Sequence, residues 1–559
     1  MALQNFVDRT NPVVSAAWLN AVDRIKESWL GTSAEETAAG VVPAAPWFPP
    51  GYIERYGGTG DGATNNTAAF TAGDSVSVQA KGPTIKVHTG LYRISDNLTI
   101  QEDLDFSRGG GMISVDAGKT LTIAGRIIGP PRQYFTGAGS VVVLPGRNEF
   151  VLPEWWGAIP DDSTDCYAAI AKAIAALPTG GGTYGGIVHF LKGIYRSSDK
   201  ILQPNGVELR GISCNTSCIK ATNTFNKTAL IANSAQDGTQ EFARITDLML
   251  DGNKAAGAVC SVAVVDWVSL FVNSYIRDCL IQNGSNDNLH IGANNGGGPV
   301  LVDNTWLLSP NGHNILIDEA VANTNAVAGI GLRNCTVEHQ AAGKCGIRIK
   351  GYGRIFGVNI TDLHVEQANS GAGTYGIQID GAGDVKMDGI QLQSSSTSSG
   401  GIRIENNVLN TRYSAKNVTN INTINPCIDD QLEGVQFTGV HVPWYCSSDF
   451  GVFKQKQQTL TYGASVATNL TLGNYCILVI TNGTAFTIAN PTNAQVGQRL
   501  TYEIVNSSGG AHGTISWGAN FAYRDASFGA IANGKRRTIM FEYRGSNVWA
   551  QIGAATGDM

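Results

Sequence analysis

Cys335-Thr336-Val337 can be laid over four other stretches of the chain: Cys279-Leu280-Ile281, Thr305-Trp306-Leu307, Leu363-His364-Val365 and Ile390-Gln391-Leu392. Taken at their third residues, the steps 281→307, 307→337, 337→365 and 365→392 are 26, 30, 28 and 27 residues. A second stretch follows each: Leu289-His290-Ile291, Ile315-Leu316-Ile317, Ile347-Arg348-Ile349, Ile377-Gln378-Ile379 and Ile402-Arg403-Ile404. Every one reads in, out, in, the alternation of a half-buried strand. Short strands recurring at a period of roughly 20–50 residues define a solenoid, each coil packing only on its neighbours. The spacing predicts a parallel β-helix, whose long flat faces suit an extended polymer.

Composition agrees with a β-rich protein with many turns. The chain has 559 residues, 68 of them glycine, with 43% hydrophobic and 15% charged residues, which disfavours disorder and helical bundles. A net charge of −6 without a basic stripe argues against nucleic acid as a partner. No apolar run reaches the roughly 18 residues of a spanning helix, so no membrane insertion is expected. The first residues, Met1-Ala2-Leu3-Gln4-Asn5-Phe6-Val7-Asp8, lack a basic and then apolar signal pattern. The ten cysteines are therefore expected to be reduced thiols. Cys279 and Cys335 share one inward slot, as small hydrophobes. Cys214 and Cys218 stand too far from other ligands to argue for zinc. No metal or cofactor site is expected.

Four segments follow from changes of texture. Residues 1–50 hold an amphipathic segment, Ala16 to Leu30, with Trp18, Leu19, Val22, Ile25 and Trp29 at helical spacing, and then an Ala/Glu/Pro-rich linker from Gly31 to Pro50. Residues 51–152 form a small β-rich head. Residues 153–453 are the β-helix, opening with a short helix over Cys166 to Leu177 and ending near Val440-His441-Val442. Residues 454–559 carry longer alternating strands, such as Arg499-Leu500-Thr501-Tyr502-Glu503-Ile504-Val505, and are expected to form an antiparallel β-sandwich.

Several pieces resemble phage tailspikes and tail fibres with a pectate-lyase-like right-handed β-helix. Tyr56-Gly57-Gly58-Thr59-Gly60-Asp61-Gly62-Ala63-Thr64-Asn65-Asn66-Thr67 is similar to that superfamily's opening motif, departing from it at Asn65-Asn66, where acids are common. Pro153-Glu154-Trp155-Trp156-Gly157-Ala158, with Asp161, Asp162 and Asp165, looks like a second copy. Asn5-Phe6-Val7-Asp8 and Ala16-Ala17-Trp18-Leu19-Asn20 resemble segments that attach tailspikes to a virion, and Gly534-Lys535-Arg536 to Gly553 resembles their terminal sandwich. The resemblance implies a homotrimer located in the phage tail, made in the host cytoplasm and acting at the bacterial surface. It also implies binding, and usually depolymerisation, of a capsule or lipopolysaccharide O-chain. Residues 1–30 would dock into the tail or an adapter protein, the competing view being a helix buried in its own trimer. The terminal domain would serve trimerisation or carbohydrate binding.

Stacking the coils turns each outward position into a column with neighbours about 4.8 Å apart. Asp278, Asn304, Asn334, Asp362 and Gly389 form an Asx ladder expected at turns. Arg277, Asp303, Arg333, Thr361 and Asp388 read as an ion-pair ladder. The column just after the buried anchor differs: Gln282, Leu308, Glu338, Glu366, Gln393. Two glutamates on adjacent rungs, with no base between them, should leave one protonated beside an ionised partner, which polysaccharide hydrolysis requires. Glu338 and Glu366 are the expected catalytic pair. Trp306, His364, Gln391 and Gln393 share their patch and suit a saccharide subsite, with His339 placed to bond a carboxylate and Asp303 a further candidate contact. A solvated or interface role for the glutamates is the competing reading. A lyase would instead use a base such as His364 or His339 with Arg348 and Arg403 to neutralise a uronate, and a purely adhesive protein would bind without cleaving.

Overall fold

The computed structural model describes residues 31–430 and 457–559, apart from residues 81–83, 179–184, 236–240, 294–295, 320–326, 353, 368–373, 395–399, 406–412, 417–418, 421–427, 471, 495–497 and 523–527. The amphipathic segment Ala16 to Leu30 and the rung Val440-His441-Val442 lie outside the described residues. The chain divides into two compact units, Met1–Asp429 and Asp430–Met559.

The stretch expected to be a linker is folded. Ser33 caps the helix Ala34–Ala39 through a capping box with Glu36. Glu36 forms a fully buried ion pair with Arg55. Arg55 also donates to the carbonyls of Gly31, Pro46 and Phe48, so the buried guanidinium is saturated and pins the Pro-rich strip to the coil. Composition alone does not reveal such a pair, because its members stand 19 residues apart.

Two opening modules then follow one another with the same construction. The 3₁₀ turns Ile53–Tyr56 and Pro153–Trp156 end at Gly57 and Gly157, with φ of 89° and 93°. Asp61 accepts from the N–H groups of Ala63 and Thr64, and Asp161 from those of Ser163 and Thr164. Helices Thr67–Ala80 and Tyr167–Ala175 follow; the second buries Ile170, Ala173 and Ile174. Glu54 accepts from the Tyr92 hydroxyl as Glu154 does from that of Tyr195. The head is itself a short coil of parallel strands in three small sheets, one of them running Asp61–Asn65, Leu91–Ile94, Met112–Val115 and Phe135–Gly137. It is continuous with the longer coil, since the Tyr134 N–H donates to Trp155 O and the Val143 N–H to Ala176 O.

The longer coil has a 17-stranded sheet and a 9-stranded sheet, and all their registered pairs are parallel. The register matches the sequence columns: Leu307 faces Val337, Val337 faces Val365, and Val365 faces Leu392. These anchors are fully buried. Asp278, Asn304, Asn334 and Asp362 hold left-handed φ of 55°, 45°, 51° and 52°, a conformation Asx tolerates better than other non-glycine residues. From that corner the Asp278, Asn304 and Asn334 N–H groups donate to Asp303, Arg333 and Thr361 carbonyls of the next coil. Cys279 and Cys335 are buried free thiols, and every cysteine among the described residues is unbridged.

On the outer face of the 9-stranded sheet, His290 bridges Asp266 and Asp318, at 2.7 and 2.8 Å. Its ring lies across Gly292, where a β-carbon would stand 2.7 Å from His290 Cε1. Burial opposes charge on this imidazole, but the two carboxylates outweigh burial and push it up to about 10.

The C-terminal unit corrects the antiparallel expectation. Gln457–Leu460, Tyr475–Ile480 and Arg499–Asn506 pair in parallel, as do Ser465–Val466, Phe486–Ile488 and Ile515–Trp517. Among the described residues only Arg536–Tyr543 pairs antiparallel with its neighbours. In–out alternation fixes which face is buried and says nothing of strand direction. Val466, Leu478, Tyr502, Phe541 and Trp549 form the core.

His290 yields a pH prediction. A group raised on folding stabilises fully below its unfolded value and loses that contribution as pH rises through its folded value. The melting temperature of the first unit should therefore fall by several degrees between pH 6.5 and about 10. His290→Asn should remove that slope and melt lower than wild type at pH 6, read by circular dichroism.

Candidate active site

Alternation along Thr336–Glu338, Val358–Gln367 and Val385–Ser394 decides what faces outward. With Val337, Val365 and Leu392 in the core, Glu338, Glu366 and Gln393 stack in one outward column. Trp306, Thr336, His364 and Gln391 stack in the other. The patch expected from the sequence is thus assembled by the register. Trp306 is 45% exposed and lies one rung before Thr336.

One ligand atom from each of Glu338, His364 and Glu366 lies within 4.8 Å of the others. His364 Nε2 stands 3.9 Å from Glu366 Oε2. Burial first, and then the Glu366 charge, raise the Glu338 carboxyl above the ordinary range; His339, His364 and a hydrogen bond with Trp306 oppose this. The result is a raised carboxyl with a second glutamate one rung away. This trio is also the group of acid and imidazole donors, among the described residues, close enough to share a metal ion.

The backbone beneath Glu338 is fixed from inside the coil. Its carbonyl accepts from the Asn314 side chain at 2.9 Å and from the Ser309 N–H at 3.1 Å. Asn288 in turn donates to Asn314 and to Leu308 O. Both asparagines are fully buried. Sequence reasoning missed them, although each immediately precedes the second repeated stretch of its coil, in Asn288-Leu289 and Asn314-Ile315.

Other candidates take different places. His339 occupies a left-handed corner, φ 55°, with its N–H on Glu366 O, and its ring bonds no carboxylate among the described residues. It acts on Glu338 through charge alone. Asp303 is 6% exposed and carries the Arg333 fork at 2.9 and 2.7 Å, which makes it a strut in the ion-pair ladder. Arg348 and Arg403, the alternative lyase cations, are already paired, Arg348 with Asp380 at 3.0 Å and Arg403 with Glu405.

A family model described as rhamnogalacturonase A/epimerase, pectate lyase-like, matches residues 155–371, which include both glutamates. Over those residues the described strands form a parallel β-helix, and the sequence is similar to that family. Among solved structures it is similar to the ORF18 protein of Geobacillus virus E2, at 11% identity and TM-score 0.37, covering 72% of this chain and 68% of that one. It is similar to tailspike protein 2 of bacteriophage CBA120 (enzymatically active domain), at 10% identity and TM-score 0.37, covering 74% and 70%. It also resembles the phiAB6 tailspike, solved with oligosaccharides of Acinetobacter baumannii surface polysaccharide, at 13% identity and TM-score 0.34; it spans 48% of either chain. No curated protein matches the sequence.

The electrostatics of the pair can be tested directly. Glu366→Gln should lower the Glu338 titration by removing the like charge. His364→Asn should raise it further. Carboxyl ¹³C NMR titration reads both, and the opposite signs are the check.

Proposed function

We propose that this chain is a phage tailspike that binds a bacterial capsule or O-antigen polysaccharide and depolymerises it by endo-glycosidic hydrolysis. The observation that carries the reading is the stacked pair Glu338 and Glu366, one rung apart, with the Glu338 carboxyl raised. Glu338, whose carboxyl is raised, donates its proton to the glycosidic oxygen as that bond breaks. The Glu366 carboxylate attacks the anomeric carbon and forms a glycosyl-enzyme. Water then hydrolyses the intermediate, with Glu338 taking back the proton. The close spacing favours this retaining course, since inverting pairs stand about 6.5–9.5 Å apart to admit a water. Trp306 offers an aromatic plate for a sugar face, and Gln391 and Gln393 offer amides on the next rung.

The wider assignment rests on the opening motifs at Tyr56 and Pro153 and on the pectate-lyase-like match. It comprises a homotrimer of β-helices, attachment to the tail or an adapter through residues 1–30, synthesis in the host cytoplasm and action at the cell surface. Hydrolysis is preferred to β-elimination because Arg348 and Arg403, which a lyase would direct at a uronate, are neutralised by Asp380 and Glu405.

Incubation with surface polysaccharide of a susceptible host should release new reducing ends without the ultraviolet absorbance of an unsaturated uronyl product. Glu338→Gln and Glu366→Gln should each cut that rate by about 10²–10⁴, the usual worth of a positioned acid or base, with the melting profile kept. Absorbance rising with cleavage would establish a lyase. Binding without any cleavage would establish an adhesin.

A further inference from the structure

The first strand of each coil has its own outward columns, and on the N-terminal coils these are rich in arginine. In register run Glu208, Arg244 and Tyr275, and beside them Arg210, Thr246, Arg277, Asp303 and Arg333. The carboxylates of this strip are committed. Glu208 accepts from Arg210 at 2.7 Å and from the Thr246 hydroxyl at 2.9 Å. Asp303 holds Arg333 tightly and reaches Arg277 only at 3.5 Å. Asp247 and Asp278 stand at the corner beyond the strip, where burial and the Asp278 charge push the Asp247 carboxyl up.

Arg244 has no carboxylate. Among the described residues it makes no ion pair, and its Nε has no hydrogen-bond partner. It is held by rings instead, its guanidinium carbon 5.3 Å from the Tyr275 centroid and 5.9 Å from that of Phe242. Arg277 lies 4.9 Å from the same Tyr275 ring. A guanidinium fixed against aromatic faces with its fork unspent is preorganised for a planar or tetrahedral oxyanion. The neighbouring ring supplies an apolar plate for the sugar bearing it.

We infer that Arg244, Arg277 and Tyr275 form a subsite for an anionic sugar, the carboxylate or phosphate substituent on the two guanidiniums and the pyranose against the tyrosine. This rests on the polysaccharide reading and narrows it to an acidic polymer. Tyr275 and Arg277 lie two coils before the coil of Glu338 and Arg244 three, roughly 10 and 14 Å along the axis.

Phenylglyoxal modification of the full chain, mapped by peptide mass spectrometry, tests this without the natural polysaccharide. D-glucuronate or glucose 6-phosphate should slow modification of Arg244 at least about threefold at twice its Kd, following 1 + [L]/Kd, while D-glucose leaves it unchanged. Protection by glucuronate alone identifies a carboxylate, and by the phosphate ester alone a phosphate. Arg244→Gln should abolish protection at Arg277 and keep the wild-type melt. Equal rates with all three sugars, or an Arg244 that never reacts, would overturn the subsite. Cleavage assays on Glu338→Gln are read separately. An active hydrolase with an indifferent Arg244 sinks only the subsite, and a protected Arg244 in a chain that cleaves nothing sinks only the hydrolase.

Discussion

Everything in the long coil depends on one hydrogen bond repeated at one corner. A residue in the left-handed region points its N–H at a carbonyl of the following coil, as Asn304 does to Arg333 and Asn334 to Thr361. Asn and Asp accept that conformation at low cost, which a β-branched residue would not. Because the bond crosses between coils, it fixes register as well as the turn. A slip of one residue would turn every buried anchor to solvent and every outward group inward. Coil lengths between 26 and 30 residues are therefore absorbed away from this corner.

Fixed register makes each column a line of side chains about 4.8 Å apart, too close for charges to ignore one another. Elsewhere on the described faces the chain answers with compensation. His290 sits between two aspartates, Asp303 serves two arginines, and Arg348 and Arg403 lean on Asp380 and Glu405. Glu338 over Glu366 is a like-charge pair, as Asp247 beside Asp278 is, and it is offset by imidazoles and by a hydrogen bond with Trp306. A like-charge pair adds nothing to stability, and under the proposed function it is a cost carried by a scaffold rigid enough to hold it.

The sequence made the columns legible because the repeat is one-dimensional: once period and anchor are known, every neighbour follows by subtraction. Trp306, Glu338, His364, Glu366, Gln391 and Gln393 fell into one patch on that basis. What escaped it was the link that subtraction cannot give. Glu36 and Arg55 find each other outside any repeat, so their strip read as a linker. The diagonal from Asp266 through His290 to Asp318 crosses columns and depends on Gly292 leaving room. The column did set Asp303 beside Arg333 in an ion-pair ladder, as the structure has it. Strand direction in the C-terminal unit failed because parallel and antiparallel strands share one alternation.

The two glutamates have the same residue type, strand and outward direction, yet the proposed reaction gives them opposite roles. The column supplies the difference. Glu338 has the half-buried Leu308 on the rung before it, an apolar neighbour that strengthens the burial penalty on a carboxylate. Glu366 has Gln393 on the rung after it and His364 two residues back on its own strand, and both are polar. Burial first, and then the Glu366 charge, raise the Glu338 carboxyl, which suits it to the acid's part in the proposed reaction. In a solenoid that asymmetry is set by single positions: exchanging Leu308 for a polar residue would weaken it without touching either acid.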